Sequence, residues 1–147
     1  MVIRENEASL KREQMVMDAI KKDNWIVKKL GKFDVDYLIQ TRGKQYLCEI
    51  KTYRSRFGAF PKQMLSLNKI SKVQSDSKMS GCIGMFVLAY SCGTIAFIEV
   101  DKIKGEFKLG GYSTPRAGNV NDVELMCFVD IKDLQISKHR VDGLWEQ

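Results

Sequence analysis

The stretch from Phe33 to Lys51, FDVDYLIQTRGKQYLCEIK, restricts the fold more than any other part of the chain. Thr41-Arg42-Gly43-Lys44 is a tight-turn sequence with strand-forming residues on both sides, which predicts a β-hairpin. Successive side chains of a strand point to opposite faces. In the second strand Tyr46, Cys48 and Ile50 therefore share one face, and Leu47, Glu49 and Lys51 share the other. The same period in the first strand sets Asp34, Asp36 and Leu38 against Phe33, Val35, Tyr37 and Ile39. Pairing through the turn then brings an acid of the first strand beside Glu49 and Lys51, so that two carboxylates and an ammonium converge.

The rest of the chain is organised around this hairpin. Residues from about 5 to 23 carry a helical stripe of Leu10, Met17 and Ile20 with Val16 at its edge. Glu13 falls in that stripe. Either its carboxylate reaches water from the flank, or it overhangs the acidic cluster and helps to bind a metal ion or its water. Asn24-Trp25-Ile26-Val27 turns into a strand ending near Lys29, and short connections make it the first of a three-strand meander. A loop with two Arg and three aromatics follows Lys51. Pro61 fits the first position of a second helix reaching about Met79, which places Gln63 at a helix start. Cys82 to Tyr90 is continuously apolar and reads as a buried central strand, with Thr94 to Val100 returning as its hairpin partner. Beyond that, 104 to 121 reads as a long glycine-containing loop, Glu124 to Ile131 as a late edge strand, and Asp133 onwards as a short terminal segment.

At 147 residues the chain fits a single domain, with its core in about 5–100 and a loop, edge strand and tail in 101–147. Its 24 Lys and Arg against 18 acids give a net charge of +6, which suits a polyanionic partner. No apolar run reaches the roughly 18–20 residues that span a bilayer, and the N-terminus is polar, so a soluble, cytoplasmic protein without membrane contact is expected. Four widely spaced cysteines and one histidine argue against a zinc finger or ribbon; Cys48 and Cys127 read as reduced core thiols. Hydrolytic chemistry in this chain must rest mainly on carboxylates and Lys.

Phosphodiester hydrolysis requires an activated water, compensation of charge on phosphate and help for the departing oxygen, all of which a divalent ion supplies. Mg²⁺ takes hard oxygen ligands and needs few from the protein. Asp36 and Glu49 meet that need, with the Ile50 carbonyl as third ligand and Lys51 placed to orient the attacking water. Mn²⁺ would substitute. Lys11, Arg12, Arg54, Arg56, Lys62 and Arg116 are the expected DNA contacts.

Asp36, followed by Glu49-Ile50-Lys51, resembles the motif of the PD-(D/E)xK nuclease superfamily, and the order of helices and strands matches its αβββαβ core. Within that superfamily the chain is most similar to the Holliday junction resolvases of archaeal and RecU type, from about Lys11 to Val100. Val35 stands where the motif name has Pro. The resemblance implies an α/β (α+β), restriction-endonuclease-like fold with a central mixed sheet flanked by helices. It also implies that Asp36 and Glu49 bind the metal, that Lys51 is catalytic, that Glu13 is the acid of the first helix, and that Gln63 assists catalysis or contacts DNA. Asp34 is the alternative to Glu13 as the further acid. The expected activity is Mg²⁺-dependent cleavage of branched or duplex DNA in recombination or repair, by a homodimer or higher homo-oligomer. A sequence-specific homing or restriction-like endonuclease and a non-catalytic DNA-binding module are the alternatives.

Overall fold

The structure, a computed structural model, describes residues 7–31, 35–111 and 123–146. Helix α1 (Glu7–Ile20) leads into strands β1 (Ile26–Lys29), β2 (Tyr37–Thr41) and β3 (Lys44–Tyr53), which pair antiparallel in sequence order. Only Arg42 and Gly43 separate β2 from β3, and Gly43 takes a φ of 87° that a side chain would disfavour. After β4 (Lys62–Ser66) and helix α2 (Leu67–Ser80), the chain enters β5 (Ile83–Tyr90), which pairs parallel to β3. A parallel neighbour demands a crossover, and α2 supplies it. β6 (Thr94–Glu99) returns antiparallel beside β5, and β9 (Gln135–Arg140) closes that edge, giving the order β1-β2-β3-β5-β6-β9.

The two faces of this mixed sheet are covered by different elements, as alternation along β3 requires. Cys48 and Ile50 pack with Val16 and Met17 of α1, whereas Leu47 packs with Ile70 and Val73 of α2. Phe86 and Leu88 of β5 face α2, and Val87 and Ala89 face α1, so β5 is buried on both sides. Its continuous apolar sequence follows from that position.

Four expectations require correction. The second helix does not begin at Pro61: Lys62–Ser66 is strand β4, held by β8 from a distant part of the chain, and the helix starts at Leu67. The supposed loop after residue 104 contains strand β7 (Glu106–Gly111). β8 (Val123–Asp130) is not an edge strand but the centre of a second, three-stranded sheet of order β4-β8-β7. The terminal segment contains β9, which was not anticipated. The small sheet joins the α2 side of the main core, where Leu65, Cys127 and Val129 pack with Phe86 and Val73. No helix among the described residues is long and apolar enough to cross a membrane.

Candidate active site

The site lies where β2 and β3 part. Their pairing ends at Tyr37 opposite Cys48, yet β3 runs on to Tyr53 with β5 alone beside it. A continued ladder would give the Ile50 N–H to a main-chain carbonyl of the preceding chain. That N–H instead donates to Asp36 Oδ2 at 2.7 Å. The N–H and C=O of a residue in an extended strand leave on the same edge. The Ile50 carbonyl is therefore directed towards the side on which Asp36 stands, past the start of β2.

The parting of the strands also changes which way the first strand's residues face. Strict alternation sets Val35 with Tyr37 and Ile39, but Val35 packs in the α2-side core while Tyr37 and Ile39 pack under α1. Asp36 sits at this switch, buried, with its carbonyl accepting the Leu30 N–H at 3.0 Å. Asp34 lies outside the described residues.

Glu49 is 4 % exposed, and Asp36 is 7 % exposed. Burial raises the Asp36 carboxyl above its ordinary value, against the opposing hydrogen bond from Ile50 and the charges of Lys29, Lys51 and Lys69. Burial also raises Glu49, the Asp36 charge pushes it further in the same direction, and Lys69 and Lys51 pull it back. Both carboxylates are thus desolvated, and the charge of Asp36 opposes ionisation of Glu49. That electrostatic state is relieved by a cation between them.

Two ammonium groups that the sequence reading did not single out take part of this role. Lys29 Nζ stands 3.8 Å from Asp36 Oδ1 and 3.8 Å from Glu13 Oε1, so it bridges the acid of α1 to the acid of the hairpin. Lys69 Nζ reaches Glu49 Oε2 at 3.6 Å from the first turn of α2. Cross-strand register was the available signal for Lys29, since it lies opposite Tyr37 and so next to Asp36. No such signal existed for Lys69 while the helix start was misplaced. Glu13 is buried on the α1 side of the sheet, and Glu49 faces the α2 side. The two acids therefore approach Asp36 from opposite faces.

Gln63 is not at a helix start. It lies on β4, where its Oε1 accepts a hydrogen bond from the Tyr90 hydroxyl at 2.7 Å and its Nε2 donates to the Met64 carbonyl at 3.2 Å. Tyr90 stacks on Tyr53, with ring centroids 5.1 Å apart, and meets Phe57 edge-on at 5.2 Å. Of the three aromatics after Lys51, Tyr53 and Phe57 thus pack against Tyr90, whereas Phe60 is exposed. Tyr37 is raised to about 12, first by burial and then by Glu13 and Asp36, so its hydroxyl stays protonated and donates to Gln14 Oε1 at 3.1 Å. Burial and the Asp36 charge push Cys48 up to about 12, and all four cysteines are free thiols.

The expected DNA contacts come from several elements. Lys11 and Arg56 are exposed. Lys62 is on the small sheet, 3.6 Å from Glu106. Arg12 and Arg54, from different elements, meet over the ring of Trp145. Arg116 lies outside the described residues.

The donors suit a hard divalent cation. Among the described residues no three acidic, Cys or His side chains gather into a metal cage, but Asp36, Glu49 and the Ile50 carbonyl form a set of hard oxygens. Mg²⁺ is commonly held by one or two carboxylates, with water and substrate completing its shell.

No protein-family model matches the chain, and no curated protein matches its sequence. Among solved structures, it is similar to Hjc of Archaeoglobus fulgidus, a Holliday junction resolvase from an archaeal hyperthermophile. The TM-score is 0.57 over 83 % of this chain and 88 % of that one, at 10 % sequence identity. At that identity the likeness is one of fold: a mixed sheet with a helix on either side.

Proposed function

We propose that this chain is a metal-dependent DNA endonuclease that cuts branched DNA, as a Holliday junction resolvase does. The observation that carries the reading is the meeting of buried Asp36 and Glu49 at the end of the β2–β3 ladder, with Lys51 on the face of Glu49. A structural protein gains nothing from two neighbouring carboxylates that burial raises above their ordinary values. The shared fold with a resolvase and the net charge of +6 support the same reading.

Asp36, Glu49 and the Ile50 carbonyl would hold Mg²⁺. The ion would supply water activation, compensation of phosphate charge and stabilisation of the leaving oxygen. The Ile50 N–H fixes the Asp36 carboxylate in orientation. Lys51, two residues beyond Glu49 on the same face of β3, orients the attacking water and offsets negative charge that develops on the phosphate. Lys29 and Lys69 offset part of the burial cost of the ionised acids. Glu13 keeps Lys29 in place from the α1 side.

Labelled four-way junctions and linear duplexes of the same sequence, incubated with Mg²⁺, test the reading. Preferential cutting of the junction is expected. Equal cutting of both removes the branched-DNA claim, and no cutting of either removes the nuclease.

A further inference from the structure

Two arginines from distant parts of the chain share one aromatic ring beside this site. The guanidinium carbon of Arg12 lies 4.0 Å from the ring centroid of Trp145, and that of Arg54 lies 4.3 Å from it. The ring is fixed: Trp145 Nε1 donates to the Tyr53 carbonyl at 2.8 Å, and the side chain packs against the core of Val16, Met17, Val141 and Leu144. An indole face attracts a cation, but it does not neutralise two of them. Among the described residues no carboxylate pairs with either guanidinium, and the Arg12 Nε is buried with no hydrogen-bond acceptor. Two like charges held together, with a donor left over, form an arrangement that an anion completes.

The position narrows the anion. Tyr53 follows Lys51 by two residues on β3, and Arg12 directly precedes Glu13 on α1. At about 3.4 Å per strand residue the Tyr53 carbonyl that anchors the ring lies roughly 7 Å along β3 from Lys51. Consecutive phosphates of one DNA strand rise by about 3.4 Å along the helix axis, so this offset spans one or two nucleotides.

We propose that Arg12, Arg54 and Trp145 form a clamp for a backbone phosphate close to the one hydrolysed at Asp36 and Glu49, a reading that rests on the nuclease assignment above. The arginines contact the phosphate. Trp145 is a positioning residue that acts through them, which gives the C-terminal segment a role in substrate binding.

The test is the salt dependence of binding to a labelled four-way junction, measured without divalent ions so that hydrolysis plays no part. Each phosphate contact contributes about 0.9 to the slope of log affinity against log salt on duplex arms. The double variant R12A/R54A should lose about that much. Trp145→Ala removes no charge and yet should lower the slope to a similar degree, whereas Trp145→Phe, which keeps a ring, should retain most of it. Lys22→Ala, just past the end of α1, should leave the slope within half that loss. Circular dichroism shows whether Trp145→Ala folds; if it does not, Arg54→Ala decides, because Arg54 is exposed and its removal disturbs no core contact. A parental slope in Arg54→Ala, or in folded Trp145→Ala, overturns the clamp, as does an equal loss in Lys22→Ala. Failure of the parent chain to cut DNA with Mg²⁺ overturns the nuclease reading and leaves this binding result standing.

Discussion

Glu49→Gln should make the metal-free protein more stable, because the native carboxylate is held where its charge is disfavoured. Glu49 is 4 % exposed and raised above its ordinary value by burial and by the charge of Asp36. A carboxyl raised in the folded state contributes stability that is present below its unfolded pKa, and that contribution is lost as pH rises through the folded value. At neutral pH, above the unfolded value, the parent therefore bears this cost. The amide removes it, and gives up the attraction of Lys51 and the ion pair with Lys69, whose side chain is 44 % exposed and whose contribution is below about 1 kcal/mol. The expected net gain is about 1 kcal/mol, within the range common for single stabilising substitutions. For a chain of this length that corresponds to roughly 3 °C in Tm. Thermal unfolding followed by circular dichroism, with chelator present, should show the gain at neutral pH and its disappearance below about pH 4, where the parent carboxyl is itself protonated. Adding Mg²⁺ should reverse the order, because the parent alone gains binding energy, about 2.7 kcal/mol at a hundredfold excess over Kd. A metal-free Glu49→Gln less stable than the parent at neutral pH would refute the electrostatic account of the site.

Gly84→Ala should destabilise the fold by about 1–3 kcal/mol in denaturant unfolding. A Cβ there would stand 2.6 Å from Val100 Cγ1 and 2.8 Å from Val73 Cγ1, where α2 packs on β5; an unchanged midpoint would show that the contact yields easily. Tyr90→Phe should cost about 1 kcal/mol in the same assay, since it deprives Gln63 Oε1 of its donor while keeping the ring against Tyr53. No loss would mean that the hydrogen bond contributes nothing net.

The strand period made most of the main sheet legible. Glu49 and Lys51 could be set on one face, opposite Cys48 and Ile50, because β3 is regular and each face meets a different core. The alternation of the first strand misled at Val35, because the ladder ends at Tyr37 and the chain changes face there. Local pattern carries no sign of where a partner strand stops. The same limit hid β4: Lys62-Gln63-Met64-Leu65-Ser66 has no strong strand preference of its own and is extended because β8, some sixty residues later, pairs with it. Misplacing that helix start concealed Lys69. The role of Trp145 was likewise illegible, since Arg12, Arg54 and Trp145 come together only through packing of α1, β3 and the tail.

Lys51→Ala gives the most direct test of the central claim. In single-turnover cleavage of a four-way junction with Mg²⁺, the variant should be slower by on the order of 10²–10³-fold. Its affinity for the same junction, measured without divalent ions, should stay close to that of the parent. Cleavage at the parental rate by Lys51→Ala would contradict the assignment of Asp36, Glu49 and Lys51 to one catalytic site.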